Sequence, residues 1–102
     1  MGFGAKRVSI TIAITGATQQ GNLPLSLGEI DHIIITSTEA AQSFDVSIIN
    51  ENSDVVWGPR NIVAPENGIR PALLPVGILT VKIANPVPEG GTVTVVAIPR
   101  EK

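Results

Sequence analysis

The chain has no cysteine and no tyrosine, and only three aromatic residues, Phe3, Phe44 and Trp57. Without thiols there is no disulfide staple, no thiolate nucleophile and no cysteine-ligated zinc. That fits a reducing compartment and equally a cysteine-free extracellular particle. Too few aromatic faces exist to stack sugars or single-stranded nucleic acid. Charge is scarce too, at 16% of the 102 residues against a usual ~25%. The seven cations, Lys6, Arg7, Arg60, Arg70, Lys82, Arg100 and Lys102, are scattered, and the net charge is −2. No basic stripe forms, so no nucleic-acid partner is expected. No apolar run approaches the ~18 residues of a membrane span. The start, MGFGAKR, holds no continuous apolar core before Val8, so neither membrane attachment nor a signal peptide is expected. Surfaces this poor in charge are often covered by partners, although Ser, Thr, Asn and Gln also keep them wet.

What is present is valine, isoleucine and threonine in short alternating runs, separated by glycine and proline, with no helical period. Val8, Ile10, Ile12 and Ile14 share one face of a strand over 7–15, and Ser9, Thr11, Ala13 and Thr15 share the other. A loop follows over 16–28, broken by Gly16, Gly21, Asn22, Pro24 and Gly28, with Leu23, Leu25 and Leu27 placed to form a short strand or pin it to the core. Residues 29–37 form a second strand. Its consecutive Ile33, Ile34 and Ile35 indicate burial on both faces or at an interface. Residues 38–42 suit one helical turn and no longer helix. Residues 43–50 and 55–57 read as a hairpin stopped by Gly58 and Pro59, with Phe44, Val46 and Ile48 inward. Four prolines between 59 and 77 predict a loop with edge pieces near 61–63 and 69–74, and a turn at Pro65-Glu66-Asn67-Gly68. Residues 77–85 and 91–98 read as a last hairpin. Together these give roughly seven strands and an all-β fold, a single antiparallel β-sandwich or jelly-roll-like domain over 7–102. Residues 1–6 read as a flexible N-terminal arm.

Little chemistry is written on this frame. His32 is the only histidine and Asp31 precedes it. Neighbours on a strand point to opposite faces, so no direct Asp–His relay is expected, and no nucleophile elbow accompanies them. The carboxylates of Glu51, Asp54, Glu66 and Glu89 fall in predicted turns, where such groups are solvated or bond their own backbone. Asn50, Asn52 and Asp54 alternate like calcium ligands, but the sixth position is Val55 instead of glycine and the twelfth is Asn61. An Asn/Asp-rich hairpin turn is the better reading. Neither a catalytic set, a metal site nor a cofactor site is expected. Trp57 reads either as a core anchor beside Phe44 or as an exposed contact.

The strand RVSITIAITG, the strand GEIDHIIITST, the hairpin FDVSIINENSDVVWGP and the segment GILTVKIANPVPEGGTVTVVAIP resemble, in layout, small virion structural proteins of tailed bacteriophages. Capsid decoration, or cement, proteins and related head and tail accessory proteins share this short, cysteine-free, charge-poor, Val/Ile/Thr-rich style. The resemblance implies a non-enzymatic virion protein. It would bind the major capsid protein or other virion subunits and stabilise the head shell. It would also assemble with itself, most simply as a trimer. The interface residues expected on that view are Phe3, Lys6 and Arg7 in and beside the arm, and Trp57, Arg60 and Arg70 in and around the proline-rich stretch. A carbohydrate-binding or adhesin-like sandwich is the alternative, opposed by the scarcity of Trp and Tyr.

Overall fold

The computed structural model describes residues 7–23, 30–70 and 78–99. These form eight strands: β1 (Val8–Ala13), β2 (Thr18–Leu23), β3 (Ile30–Ser37), β4 (Ser43–Ile49), β5 (Val55–Val63), β6 (Glu66–Ile69), β7 (Leu79–Val87) and β8 (Thr92–Pro99). They make two four-stranded sheets, ordered β1-β8-β3-β6 (the front sheet) and β2-β7-β4-β5 (the back sheet). All neighbours are antiparallel. This order, in which every connection except that between β4 and β5 crosses from one sheet to the other, is that of an eight-stranded jelly roll.

The core lies between the sheets and follows the period of two. Ile12, Ile33, Ile35, Val93, Val95 and Ala97 face inward from the front sheet, and Leu23, Phe44, Val46, Ile48, Val81 and Ile83 from the back. Burying a side chain of this size contributes ~1.5–3 kcal/mol. Ile34 is the outward member of its triplet and lies half-buried opposite Val96. Two register rows further along the same outer face, Thr11, Thr94 and Thr36 stand side by side across three strands.

Several expected boundaries shift. The predicted hairpin of 77–85 with 91–98 does not form. Its two strands are β7 and β8, and the connector through Gly90 and Gly91 carries the chain from the back sheet to the front. The 16–28 loop contains β2, in which Gly21 is an inward-facing strand residue opposite Val81. A Cβ there would lie 2.9 Å from Ile10 Cδ1 and 3.0 Å from Ile12 Cγ1. Glycine therefore lets β2 close onto β1 at this side of the sandwich. The predicted turn at 65–68 is mostly β6, and 38–42 forms a tight turn with Gln42 N–H donating to Glu39 O at 3.3 Å.

Two prolines that fall outside the predicted strands lie inside strands of the fold. Pro59 in β5 and Pro86 in β7 each sit where the register against β4 shifts. At such a bulge the missing N–H removes no ladder bond. Each follows a residue with left-handed backbone, Gly58 at φ 87° and Asn85 at φ 55°. At Gly58 a Cβ would collide with the carbonyl oxygen of Val46 and come within 3.0 Å of Ser47 Cα. The bulge resets the alternation, so Trp57 before it packs on the core while Ile62 after it is buried.

Candidate functional site

One end of the sandwich is tied by Gln42, which has no exposed surface. Its Nε2 donates to the carbonyls of Pro88 at 2.6 Å and Gly90 at 3.0 Å, and its Oε1 accepts from Ser37 Oγ at 2.5 Å. Its own carbonyl accepts from Ala64 N–H at 2.8 Å. One residue thus joins the β3–β4 turn and the β7–β8 connector through its side-chain amide and the β5–β6 corner through its backbone carbonyl. No buried side-chain N or O lacks a partner among the described residues. This is a structural clamp with every polar group satisfied, and it leaves nothing for a ligand.

The outer face of the back sheet carries an open groove of ≈ 490 Å³. Gln20 and Asn22 of β2, Thr80 of β7 and Ile49 of β4 form its floor, and Asn50, Glu51 and Ser53 of the β4–β5 turn form a wall. The turn is self-bonded. Asn50 Oδ1 accepts from the N–H groups of Asn52 and Asp54 at 2.9 and 3.0 Å. The sequence reading of an Asn/Asp hairpin turn is what the segment forms. Glu51 Oε1 accepts from Ile78 N–H at 3.1 Å, and Thr80 Oγ1 donates to Asn22 Oδ1 at 3.0 Å. Amide, hydroxyl and carboxylate groups beside Ile49 and Ile78 suit a hydroxylated ligand. No aromatic platform lies among these residues.

Asp31 and His32 do touch, contrary to the expectation from strand alternation. The pairing of β3 with β8 shifts between Ile30 and His32, and the irregularity brings His32 Nδ1 to 2.7 Å from Asp31 Oδ2. Arg70 Nη1 donates to the same oxygen at 3.5 Å. His32 and Asp31 are 24% and 32% exposed, so the pair is one wet face of a surface cluster and not a buried relay.

Asp45 of β4 accepts from Asn61 Nδ2 of β5 and Asn85 Nδ2 of β7, each at 3.0 Å. These two bonds, led by Asn85, hold its carboxyl below the ordinary value of 3.8. The carboxylate bridges three strands of the back sheet.

Of the residues expected at an interface, Phe3 and Lys6 lie outside the described residues, as does the rest of the predicted arm. Arg7 is exposed just before β1. Trp57 and Arg60 flank the β5 bulge, Trp57 half-buried against the core and Arg60 exposed. Arg70 follows β6 and joins the Asp31 cluster. The fold therefore groups Trp57, Arg60 and Arg70 toward the β5–β6 side and puts Arg7 on the β1–β2 side. Sequence reasoning did not find the groove or Gln42. Their residues converge from separate strands, and only the alternation of Gln20 and Asn22 hinted at a shared face.

The remaining exposed surface is apolar in places. Val55, Val56 and Val63 on β5 and Val87 on β7 are large exposed hydrophobics, as is Ile78 in the groove. Val63 and Val87 flank Ser43 in one register row on the outer face.

No family model, characterised protein or solved structure matches this chain.

Proposed function

We propose that this chain is a non-enzymatic structural subunit of a virion, a decoration protein that binds and stabilises a bacteriophage head shell. The observation that carries the reading is the strand order. Jelly rolls are an architecture of viral capsid domains, and this chain has both sheets of one in 102 residues. Because a fold alone does not fix a function, the disposition of polar groups supplies the second support. The acids Asp31, Asp45, Glu51 and Glu66 are engaged in holding strands and turns. What remains for a partner is a charge-poor surface with exposed valines, suited to shape-matched contact and strengthened by repetition on a lattice.

Mass spectrometry of purified particles from a phage encoding the chain tests the reading. We expect the chain in many copies per particle, and a lower heat-release temperature for particles made without it. Its absence from intact particles overturns the proposal.

The groove favours a second reading, a glycan-binding module, since lectin domains also use jelly rolls. Calorimetric titration with oligosaccharides decides it. Neither heat nor a melting shift would remove that reading.

A further inference from the structure

We propose that the edge of β1 that no strand among the described residues pairs with is a contact between copies of this chain, with β1 pairing antiparallel to β1 of a second copy about a twofold axis at Thr11. The proposal deepens the subunit reading and rests on it, since it names the partner of one surface.

The backbone sets the register. Ile14 N–H donates to Gly91 O at 3.0 Å, at the end of the β1–β8 ladder. Hydrogen-bonded residues in an antiparallel ladder recur at every second position. Val8, Ile10 and Ile12 therefore direct their N–H and C=O groups to β8. Ser9, Thr11 and Ala13 turn theirs to the open edge. Thr15, next in that row, has its N–H taken by Gln19 Oε1 at 3.1 Å. The open set is thus three residues centred on Thr11. A twofold axis there pairs Thr11 with itself and Ser9 with Ala13 in both directions, and every group in the set gains a partner.

The side chains agree with this register. Ser9, Thr11 and Ala13 are exposed and small, so they allow a second strand to approach. The row Thr36–Thr94–Thr11 ends at this edge, and the pairing continues it into the second copy as matched threonines. No charged residue lies between Val8 and Thr15, so nothing repels across the axis.

The other three edges are guarded or poorly suited. β5 is interrupted by the Gly58–Pro59 bulge, and Pro59 has no N–H to offer. β6 has four residues, and Glu66 Oε2 accepts from its Gly68 N–H at 3.0 Å. β2 reads TQQGNL, with glycine and amides where strand formers would favour pairing. β1 alone holds an unshifted register over its whole length with no charge, proline or glycine. A single strand pair buries less than the ~1,200 Å² typical of a stable complex. The contact is therefore reversible in solution and gains strength on a lattice.

Light scattering of the full chain across a dilution series, with two sets of variants, tests the contact. The wild type should move reversibly between monomer and dimer. Thr11→Pro removes an N–H that faces the edge, so the variant should keep its strand signal in circular dichroism and stay monomeric. Thr11→Cys places two thiols across the axis, where Cα atoms of a hydrogen-bonded pair stand ~5.5 Å apart, within disulfide reach. Mild oxidation should link it into a dimer, while Gln20→Cys on the β2 edge and Ser53→Cys in a turn stay unlinked. If Thr11→Pro fails to fold, the cysteine variants decide alone. Self-association without the Thr11→Cys link, or equal linking at Gln20→Cys, overturns the β1 contact and leaves the subunit reading standing. A strict monomer found in particles also overturns only the contact. A monomer absent from particles removes both.

Discussion

Gln42 shows how much one neutral side chain holds in this fold. Its amide engages two carbonyls of the β7–β8 connector and the hydroxyl of Ser37, with no access to water. Gln42→Ala leaves those partners without their bonds inside the protein. The expected loss is roughly 2–4 kcal/mol, read as a lower urea midpoint with an unchanged slope. Two glycines give a contrast at the same scale. A methyl group at Gly21 meets the far end of Ile10 and the buried Ile12, side chains that must shift by a few tenths of an ångström, so Gly21→Ala should cost about 1 kcal/mol. At Gly58 it meets the backbone of Val46 and Ser47 in a left-handed conformation. Gly58→Ala should cost about 2–4 kcal/mol. Equal losses in thermal melts of the two variants would contradict this account of the bulge.

At the level of elements, the back sheet depends on a carboxylate. Asp45 accepts from Asn61 on one neighbouring strand and Asn85 on the other, and its carboxyl is held below 3.8. A depressed folded value means that the unfolded chain takes up the proton first as pH falls. The contribution is therefore fully present above about pH 4 and is lost as pH drops through the folded value. Urea midpoints measured from pH 7 to pH 2 should fall for the wild type at the acid end. Asp45→Asn should start lower at pH 7 and show a shallower acid limb. The same strands show what could be read from residues alone. Alternation in 7–15, 29–37, 43–50 and 91–98 located β1, β3, β4 and β8, because each presents apolar side chains to one core. Alternation does not say which sheet a strand joins, since both inner faces of a sandwich look alike. Hence β7 and β8, close in sequence and joined by Pro-Glu-Gly-Gly, read as a hairpin although the connector crosses between sheets. Proline misled for a related reason. Pro59 and Pro86 break a regular ladder but fit a bulge, and a bulge depends on the neighbouring strand's register. The Asp31–His32 contact escaped in the same way, through the irregular pairing between Ile30 and His32.

For the molecule as a whole, the question is whether two sheets behave as one cooperative unit. The principal extents of 43 × 28 × 18 Å describe a thin slab, so every inward side chain touches the opposite sheet or its own neighbours. Three connections resist separation of the sheets. β2 closes on β1 over Gly21. The Gln42 clamp joins turns that pass between the sheets. Phe44, with no exposed surface, shares the central cluster with Ile33, Ile35 and Val95 of the front sheet. Losing one sheet would expose the apolar face of the other, so no half-folded state is stable. Trp57 makes this testable. It is the only tryptophan, it lies on the edge strand β5 of the back sheet, and it packs on the shared core. Its fluorescence reports the back sheet locally, while far-ultraviolet circular dichroism reports all strands. In a urea titration at concentrations where the chain is monomeric, the two signals should follow one transition with the same midpoint and slope. Loss of the Trp57 signal ahead of the strand signal would mean that β5 detaches first. The cohesion supplied by Gln42 and the β1–β2 closure would then stop short of the back sheet's outer edge.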